Sequence, residues 1–384
     1  MSRIAAGVST ELDATAAASE AARLVAAEVG EEPDLAFVFL SASHLADAAE
    51  AAEAVRAALS PTHLVGCVAQ GVVGRDQEVE EGPGVAVWAA SLPTAEIETF
   101  HAEPLEVDGS LAVSGFPPLE GADLVVLLVD PFSLPAAALL ERLNEEAPGL
   151  PLVGGVAVGG APRAVALIRD GDLMSQGAVG AVLSGVPVKT VVSQGCAPIG
   201  HDSVITQAEG NIVLELAGKP ALTRLQEELA ALPPETQALA AKGLLAGLVI
   251  DENVPEYGRG DYLMRGLLGA DEGTGALALG DRVRPGQTLR FHVRDERSAD
   301  EDLRESLAHE LAGRKAAGTL LFTCNGRGSH MFAEPDHDAR VVAEALGSEA
   351  LAGFFCGGEI GPVGGKAFLH GFTATLAIFL ESGA

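Results

Sequence analysis

The feature that most constrains this chain is a pattern of strand, helix and glycine-rich strand that occurs three times. Each copy begins with a short apolar stretch, which predicts a buried strand. A polar or proline-containing break follows, and then apolar residues recur at three- and four-residue spacing, which is typical of an amphipathic helix. The predicted strands cover residues 36–40, 124–129 and 319–323, and the predicted helices cover 44–59, 135–144 and 338–346.

Each predicted helix is followed by a glycine-rich strand and then by a further apolar strand. The glycine-rich segments are LVGCVAQGVVG at 64–74, LVGGVAVGG at 152–160 and LAGFFCGGEIGPVGG at 351–365. The strands after them cover 84–92, 179–185 and 369–380, and we expect each to pair as an antiparallel hairpin across its loop. Repetition of this unit favours duplicated halves over one continuous sheet.

We therefore predict an α/β (α+β) fold of two similar domains, with mixed, largely antiparallel sheets flanked by helices. The composition changes between residues 185 and 210, where two further helices are predicted at 218–232 and 236–248. This places the domains at 1–190 and 191–384. A doubly wound parallel sheet is the alternative.

Charge and cysteine usage exclude several classes of protein. The net charge is −30, so the chain repels nucleic acid and anionic membranes. The acidity indicates a role in solubility, and attraction of a basic partner is the alternative. No apolar run has the length of a membrane span, and the N-terminus has no signal-peptide pattern. The four cysteines form no C-x-x-C pair, so we expect free thiols, no metal site, no cofactor and a cytoplasmic location.

The segment GFFCGGEIGPVGGKAFLHGFT, at 353–373, is the strongest candidate for a binding site. Glycines such as Gly357 and Gly358 let the backbone approach a ligand closely. Glu359 is the acidic side chain of this segment, and His370 begins the next strand. If the two strands are neighbours, Glu359 and His370 form a polar spot beside a glycine-lined pocket. The alternative is a tight hairpin with a solvated Glu and a core His.

The segment FTCNGRGSHMF, at 322–332, directly follows a predicted strand and reads as a turn. Asn325 and Arg327 flank a glycine in it. Arg327 has the geometry to pair bidentately with a carboxylate, either of a ligand or of Glu359. An ordinary turn with an exposed Arg is the alternative. The absence of Gly-Lys-Ser/Thr and of G-x-G-x-x-G gives nucleotide binding no support.

Two more arginines lie in apolar surroundings. Arg265 is flanked by apolar residues, and Arg294 ends a β-like run beside Asp295. A buried Arg is costly unless it is paired, so each pairs with a protein carboxylate, for which Asp295 is a candidate, or receives an anionic ligand. Ser298 precedes an acidic run and is a candidate helix N-cap.

Several motifs resemble those of FIST-domain proteins, the F-box and intracellular signal transduction family. The most specific are CNGRG at 324–328, GFFCGGEIGPVGG at 353–365 and FLHGFT at 368–373, in that order. QGCAPIG, ITQAEGN, DYLMRGLLGAD and FHVRDERSADEDL are similar too, and the N-terminal half matches more loosely. The resemblance covers nearly the whole chain. It implies a sensory module that binds small ligands such as amino acids.

The leading hypothesis is thus a stand-alone sensor of an amino acid or small carboxylate. Arg265, Arg294, Asn325 and Arg327 are the candidate anion receivers, and Glu359 is the candidate ammonium receiver, with Gly357, Gly358 and His370 beside it. With no output segment in the chain, a signalling partner or a homo-oligomer would carry the response. The alternatives are an interaction scaffold and an enzyme that uses Glu359, His370 and Cys356.

Overall fold

A computed structural model describes residues 2–107, 110–159 and 165–381. The described residues divide into two compact units. Unit 1 comprises those within Met1–Val192, Leu303–Leu369 and Thr373–Ala384. Unit 2 comprises Ser193–Asp302 and His370–Phe372. The C-terminal half of the chain therefore contributes to both units.

Long runs of strands separate the helices in the described part of the chain. The helices are α1 (Ala14–Val29), α2 (Ala48–Leu59), α3 (Ala136–Glu146), α4 (Ala221–Ala230), α5 (Pro234–Lys242), α6 (Glu296–Glu310) and α7 (His337–Leu346). The first thirteen strands are β1 (Arg3–Ser9), β2 (Leu35–Ser41), β3 (His63–Ala69), β4 (Val72–Gly74), β5 (Gln77–Val79), β6 (Val85–Ser91), β7 (Glu96–Val107), β8 (Ser110–Ser114), β9 (Leu124–Val129), β10 (Leu152–Val156), β11 (Leu167–Arg169), β12 (Asp172–Met174) and β13 (Ala178–Ser184). The remaining strands are β14 (Val188–Gln194), β15 (Cys196–Glu209), β16 (Ile212–Leu216), β17 (Lys219–Pro220), β18 (Leu244–Val249), β19 (Tyr262–Asp271), β20 (Ala276–Leu279), β21 (Thr288–Arg294), β22 (Ala316–Cys324), β23 (Leu351–Cys356), β24 (Glu359–Val363), β25 (Lys366–His370) and β26 (Thr373–Leu380).

The three repeated modules of the sequence form three sheets of unit 1, and their central strands share one topology. In each sheet a first strand pairs in parallel with the glycine-rich strand and antiparallel with the last strand of the module. The central orders are β3-β2-β6-β1, β10-β9-β13-β7 and β23-β22-β26-β14. The expected mixed sheets with flanking helices are confirmed.

Each module also sends a short hairpin to a different sheet. Hairpin β4–β5 of the first module pairs with β23 of the third. Hairpin β11–β12 of the second module pairs with β3 of the first. Strand β24 of the third module pairs with β10 of the second. The exchange closes a cycle of three, so no module completes its own sheet. The expected hairpin between each glycine-rich strand and the strand after it is wrong, because the first strand of the module lies between the two and pairs with both.

A glycine at one register position marks all three glycine-rich strands. Gly66, Gly154 and Gly353 lie opposite Val38, Leu127 and Leu321 of the parallel neighbour. A Cβ on these glycines would lie 2.1, 1.9 and 1.6 Å from the carbonyl oxygen of that neighbour. A side chain at any of the three positions would therefore push the parallel pair apart. We call Gly66, Gly154 and Gly353 the signature glycines.

The inner faces of the three sheets share one hydrophobic core, and the helices cover the outer faces. Phe39, Phe322 and Phe354 meet in this core, with ring centroids 5.3–6.4 Å apart. Helices α1 and α2 cover the first sheet, α3 the second, and α6 with α7 the third. Close packing of alanine against the sheet explains how a chain with few aromatic residues fills these layers.

Unit 2 is built on one seven-stranded sheet with the order β15-β21-β18-β19-β20-β16-β17. Its core is aliphatic, apart from Phe291, and α4 and α5 pack against it. The predicted helix at 236–248 ends at Lys242, because the apolar run after it is strand β18, which is buried between β19 and β21. Within the described residues, no helix combines the length and the apolar content that a bilayer crossing needs.

The close contact at the signature glycines leads to a prediction about stability. Gly353→Ala should lower the free energy of unfolding by about 3 kcal/mol, because its Cβ cannot fit beside the Leu321 carbonyl. Gly269→Ala is the matched control, a strand glycine whose added Cβ meets open space, and it should change stability by less than about 1 kcal/mol. Chemical denaturation followed by circular dichroism measures both, and equal stability of the two variants would contradict the fold assignment.

Candidate functional site

The CNGRG turn places a fully buried arginine at the end of β22. Nε and Nη2 of Arg327 donate to the two carboxylate oxygens of Asp338 at 2.7 and 2.8 Å. Asp338 lies in the first turn of α7, and it also accepts from Thr323 Oγ1 at 2.8 Å. Both side chains of the ion pair are at most 1% exposed. Burial by itself would raise the pKa of Asp338, but the Arg327 guanidinium holds that pKa well below its ordinary value. The partner of Arg327 is thus Asp338, and not Glu359.

The glycine-rich segment after β23 places a second buried charge-bearing group close by. Glu359 begins β24 and is fully buried. Its Oε2 accepts from the backbone N and the Oγ1 of Thr373, at 3.2 and 2.9 Å. Burial raises the pKa of Glu359 to about 8, although hydrogen bonds from Thr373 and Cys324 and the charge of Arg327 act to lower it. Glu359 is therefore largely a neutral carboxylic acid at pH 7.

The two segments are neighbours in the fold. Cys324 and Cys356 are register partners in the parallel pair β22–β23, and the backbone N of Asn325 donates to the carbonyl of Cys356 at 2.9 Å. The Cys324 thiol lies close enough to Glu359 to act on the pKa of that carboxyl group, which it lowers. The parallel pair thus ends at a common edge where the turn and the glycine-rich segment meet.

Comparison of the three modules shows how unusual Glu359 is. Hairpin strands β24, β4 and β11 occupy equivalent places, each paired beside one of the signature glycines. The residue at the position of Glu359 is Val72 in the first module and Leu167 in the second. Val72 and Leu167 both belong to the shared hydrophobic core. The third module has exchanged a core hydrophobic residue for a carboxylic acid.

A second polar exchange lies in the neighbouring strand. Thr375 in β26 is the register partner of Phe322. The equivalent residues of the other modules are Ala86 and Val179. Thr375 Oγ1 is also close to Gly361, where an added Cβ would lie 3.0 Å from it. Two core positions of this module are thus polar where its sister modules are apolar.

Several buried polar atoms of this region have no hydrogen-bond partner within the described part of the chain. They are Asn325 Oδ1, Arg327 Nη1, Glu359 Oε1 and Thr375 Oγ1. Buried polar atoms in proteins are nearly always bonded, so a group of them points to a ligand or water. We call Asn325, Arg327, Asp338, Glu359, Thr373 and Thr375 the polar cluster.

Hairpin β4–β5 of the first module closes over the turn that carries Arg327. The backbone N and the Oγ of Ser329 each donate to the Glu80 carboxylate at 2.7 Å. Glu78 accepts from Ala339 N at 3.0 Å, at the start of α7. Burial and the nearby Asp338 raise the pKa of Glu78 to about 8. The acidic side chains of this hairpin and of the residue after it thus attach the first module to the segments on either side of the ion pair.

Of the remaining predicted ligand residues, two form backbone hydrogen bonds with β10, and three lie in unit 2. Gly357 N donates to Val156 O and the carbonyl of Gly358 accepts from Val156 N, so this glycine pair extends the contact with β10. His370 is buried and belongs to unit 2, with Arg265 and Arg294. The part that these residues play in ligand binding stays a prediction.

Arg265 and Arg294, the two arginines of unit 2 that the sequence singled out, both have protein partners. Arg265 Nε donates to Asp281 Oδ2 at 2.6 Å, so its carboxylate is Asp281 and not Asp295. Arg294 lies over the Phe372 ring at 5.1 Å. Asp295 instead accepts from the backbone N of Ser298 at 2.9 Å, so it caps α6, and the predicted cap Ser298 lies inside the helix.

Sequence reasoning did not select Asp338, Thr373 or Thr375 as site residues. In the sequence, Asp338 begins a predicted helix, and no local pattern marks it as the partner of Arg327. Aligning the three modules residue by residue would have shown the Val/Leu-to-Glu and Ala/Val-to-Thr exchanges. Cys356 is fully buried, and burial raises the pKa of its thiol well above the ordinary value, so it is not placed to attack a substrate from solvent, as the enzyme alternative would require.

Family models match almost the entire described architecture. The FIST N domain matches residues 34–219, and the FIST C domain matches residues 221–362. The chain belongs to the FIST family. FIST domains are associated with signal transduction and with the sensing of small ligands. The first two modules of this FIST protein lie in the N-domain match, whereas the polar cluster comes from residues in or just beyond the C-domain match.

Two mycobacterial proteins are similar to this FIST protein over their whole length. Uncharacterized protein Rv0628c of Mycobacterium tuberculosis (strain ATCC 25618 / H37Rv) is 46% identical over 385 aligned positions, which cover 99% of this chain and 100% of that protein. Uncharacterized protein Mb0898c of Mycobacterium bovis is 45% identical, with 99% of each chain covered. The same two-domain arrangement therefore occurs in these relatives.

The buried ion pair of the FIST protein predicts a large mutational effect. Asp338→Asn should lower the free energy of unfolding by about 3–5 kcal/mol, because it leaves the Arg327 charge buried without its counter-ion. Glu344→Gln, which removes the exposed partner of Arg304, should cost less than about 1 kcal/mol. Urea denaturation of both variants tests this, and a small effect of Asp338→Asn would show that the pair is solvated.

The raised pKa of Glu359 predicts a pH dependence of stability. Its folded-state pKa of about 8 lies above the ordinary 4.5, so between these values the folded protein holds a proton that the unfolded chain has released. The contribution of Glu359 is then complete below about pH 4.5 and declines up to about pH 8. Glu359→Gln should therefore gain stability relative to the unmodified protein as the pH rises from 5 to 8. A constant difference between the two denaturation profiles across this range would contradict the buried neutral acid.

Proposed function

We propose that this FIST protein is a cytoplasmic sensor that binds a small amine-bearing ligand, an amino acid or a related small carboxylate, at the polar cluster of unit 1. The observation that carries the proposal is Glu359. It replaces the Val and Leu of the sister modules, it is fully buried, and its Oε1 has no partner within the described residues.

The energetics favour a ligand over a structural role. A carboxyl group at a core position costs free energy that a Val or Leu would not, unless its hydrogen-bonding capacity is met. The apolar residues of the sister modules satisfy the same backbone geometry without that cost. An ammonium group beside Glu359 would restore the ionised carboxylate and offset the cost of its burial.

Arg327 and its neighbours supply the complementary half of the site. Asp338 uses two of the guanidinium nitrogens, and Nη1 remains to donate to one ligand oxygen. Asn325 Oδ1 and Thr375 Oγ1 add further hydrogen-bonding atoms. Because Asp338 already neutralises Arg327, the cluster favours a zwitterion over a multiply charged anion.

Burial of both Arg327 and Glu359 means that ligand binding requires an opening motion. The β4–β5 hairpin, held by Glu80 and Glu78, is the acidic segment that closes over the Arg327 turn. A ligand with different affinities for open and closed forms shifts their populations, and a partner protein that reads one form would receive the signal.

A melting-shift screen tests the proposal. The standard amino acids should be compared with their deaminated and decarboxylated analogues. A ligand present at a hundredfold excess over its Kd should stabilise the fold by about 2.7 kcal/mol. Glu359→Gln should abolish the shift, and Glu228→Gln, which alters a buried carboxylate of unit 2, should retain it. Binding that is unchanged in the Glu359 variant would refute this site.

The titration of Glu359 adds a pH signature to the same ligand. An ammonium group requires the ionised carboxylate, so affinity should rise by up to about tenfold per pH unit between pH 6 and 8 and level off above it. Isothermal titration calorimetry in two buffers of different ionisation enthalpy would detect the released proton. A pH-independent affinity would instead indicate a ligand without an ammonium group at Glu359.

A further inference from the structure

Three of the four cysteines converge on one point of unit 1. Cys324 and Cys356 are direct register partners in the parallel strands β22 and β23. Electrostatic contributions from Cys67 and Cys324, together with burial and Glu359, raise the pKa of Cys356. The fourth cysteine, Cys196, lies in unit 2. All four cysteines are reduced, with none in a disulfide, in this structure.

The geometry of the strand pair places the Cys324 and Cys356 side chains on one face. Register partners in neighbouring strands point to the same side of the sheet, and the rings of Phe322 and Phe354, two residues earlier on each strand, meet at 5.6 Å. Neighbouring strands lie about 4.8 Å apart. This spacing falls within the range of Cα separations that a disulfide bridges.

The thiols of Cys324 and Cys356 differ in their exposure to solvent and in the groups that surround the sulfur. Cys324 lies at the strand end and is partly exposed, whereas Cys356 is fully buried. Cys324 also lies beside Glu359, whose pKa it acts to lower. Gly326 N donates to Cys324 Sγ at 3.4 Å, which favours negative charge on the sulfur. Cys324 is thus the thiol placed to react first and Cys356 the one placed to resolve the product.

We propose that Cys324 and Cys356 form a dithiol site that a peroxide oxidises to an intramolecular disulfide. In the first step the Cys324 sulfur attacks one peroxide oxygen, the O–O bond breaks, and a sulfenic acid and water form. In the second step the Cys356 sulfur attacks the Cys324 sulfur and displaces a second water. The two thiols lose two electrons and two protons, and the peroxide is reduced to two waters.

Oxidation would also alter the polar cluster, a consequence that rests on the proposed function. The Cys324 hydrogen bond lowers the pKa of Glu359, and a disulfide has no thiol proton to donate. The oxidised protein should therefore hold Glu359 in its neutral form more firmly and bind an amine more weakly. The disulfide itself is detectable without any ligand, so the two proposals fail independently.

Peptide mapping of the full-length protein tests the dithiol site. The reduced protein is treated with hydrogen peroxide, its remaining thiols are alkylated in denaturant at acidic pH, and it is digested with trypsin without reduction. The expected product has lost two of the four thiols and links the peptides 316–327 and 341–366, which carry Cys324 and Cys356. Reduction with dithiothreitol should separate them.

Variants establish which thiols react. Cys196→Ser and Cys67→Ser should both leave the linked peptide unchanged, and Cys324→Ser should abolish it. The unsubstituted protein alone decides the question if a variant fails to fold. Four thiols after treatment, a link to Cys67 or Cys196, or sulfinic acid at Cys324 with no linked peptide would each overturn the proposal.

Discussion

The exchange of hairpins among three sheets is the constraint on which unit 1 depends. Each module leaves one edge of its sheet to be completed by a strand from another module, so the three sheets fold as one body around a shared core. The signature glycines keep the parallel pair of each module close together, because a Cβ at those positions would meet the carbonyl oxygen of the neighbouring strand. Hydrophobic burial on both faces of each sheet then stabilises the whole.

The same exchange explains where the polar cluster lies. Strand β24 of the third module pairs with β10 of the second module. Glu359 therefore lies between two modules, at a position that a core side chain occupies in the other two. The turn after β22 brings Arg327 to the same region, at the common end of two parallel strands. Ligands of α/β proteins often bind at the carboxyl ends of strands, where loops can diverge without disturbing the core. In this protein, the position is polar in the third module, where Glu359 stands, and apolar in the other two, where Val72 and Leu167 stand.

The polar cluster lies in one region with the hairpin β4–β5 and with the cysteine pair Cys324 and Cys356. The ion pair of Arg327 with Asp338 anchors α7 to the turn, and Glu78 and Glu80 attach the first module to the same elements. Cys324 lies beside Glu359, whose pKa it lowers, and is the register partner of Cys356. A change of charge at one of these groups therefore acts on its neighbours.

The amino-acid sequence by itself determined the repeated module, its strands and helices, and the family, because apolar periodicity and glycine motifs are local signals. It also singled out Arg327 and Glu359 as unusual. The helix predicted to run to residue 248 failed because an apolar run such as 244–249 fits either a helix or a buried strand until its neighbours are known. Tertiary structure alone decided that hairpins pair between modules, that Asp338 rather than Glu359 neutralises Arg327, and that Glu359 occupies a place held elsewhere by Val72 and Leu167. Those facts depend on contacts between residues far apart in the chain, and no local pattern encodes which distant partner a buried charge will meet.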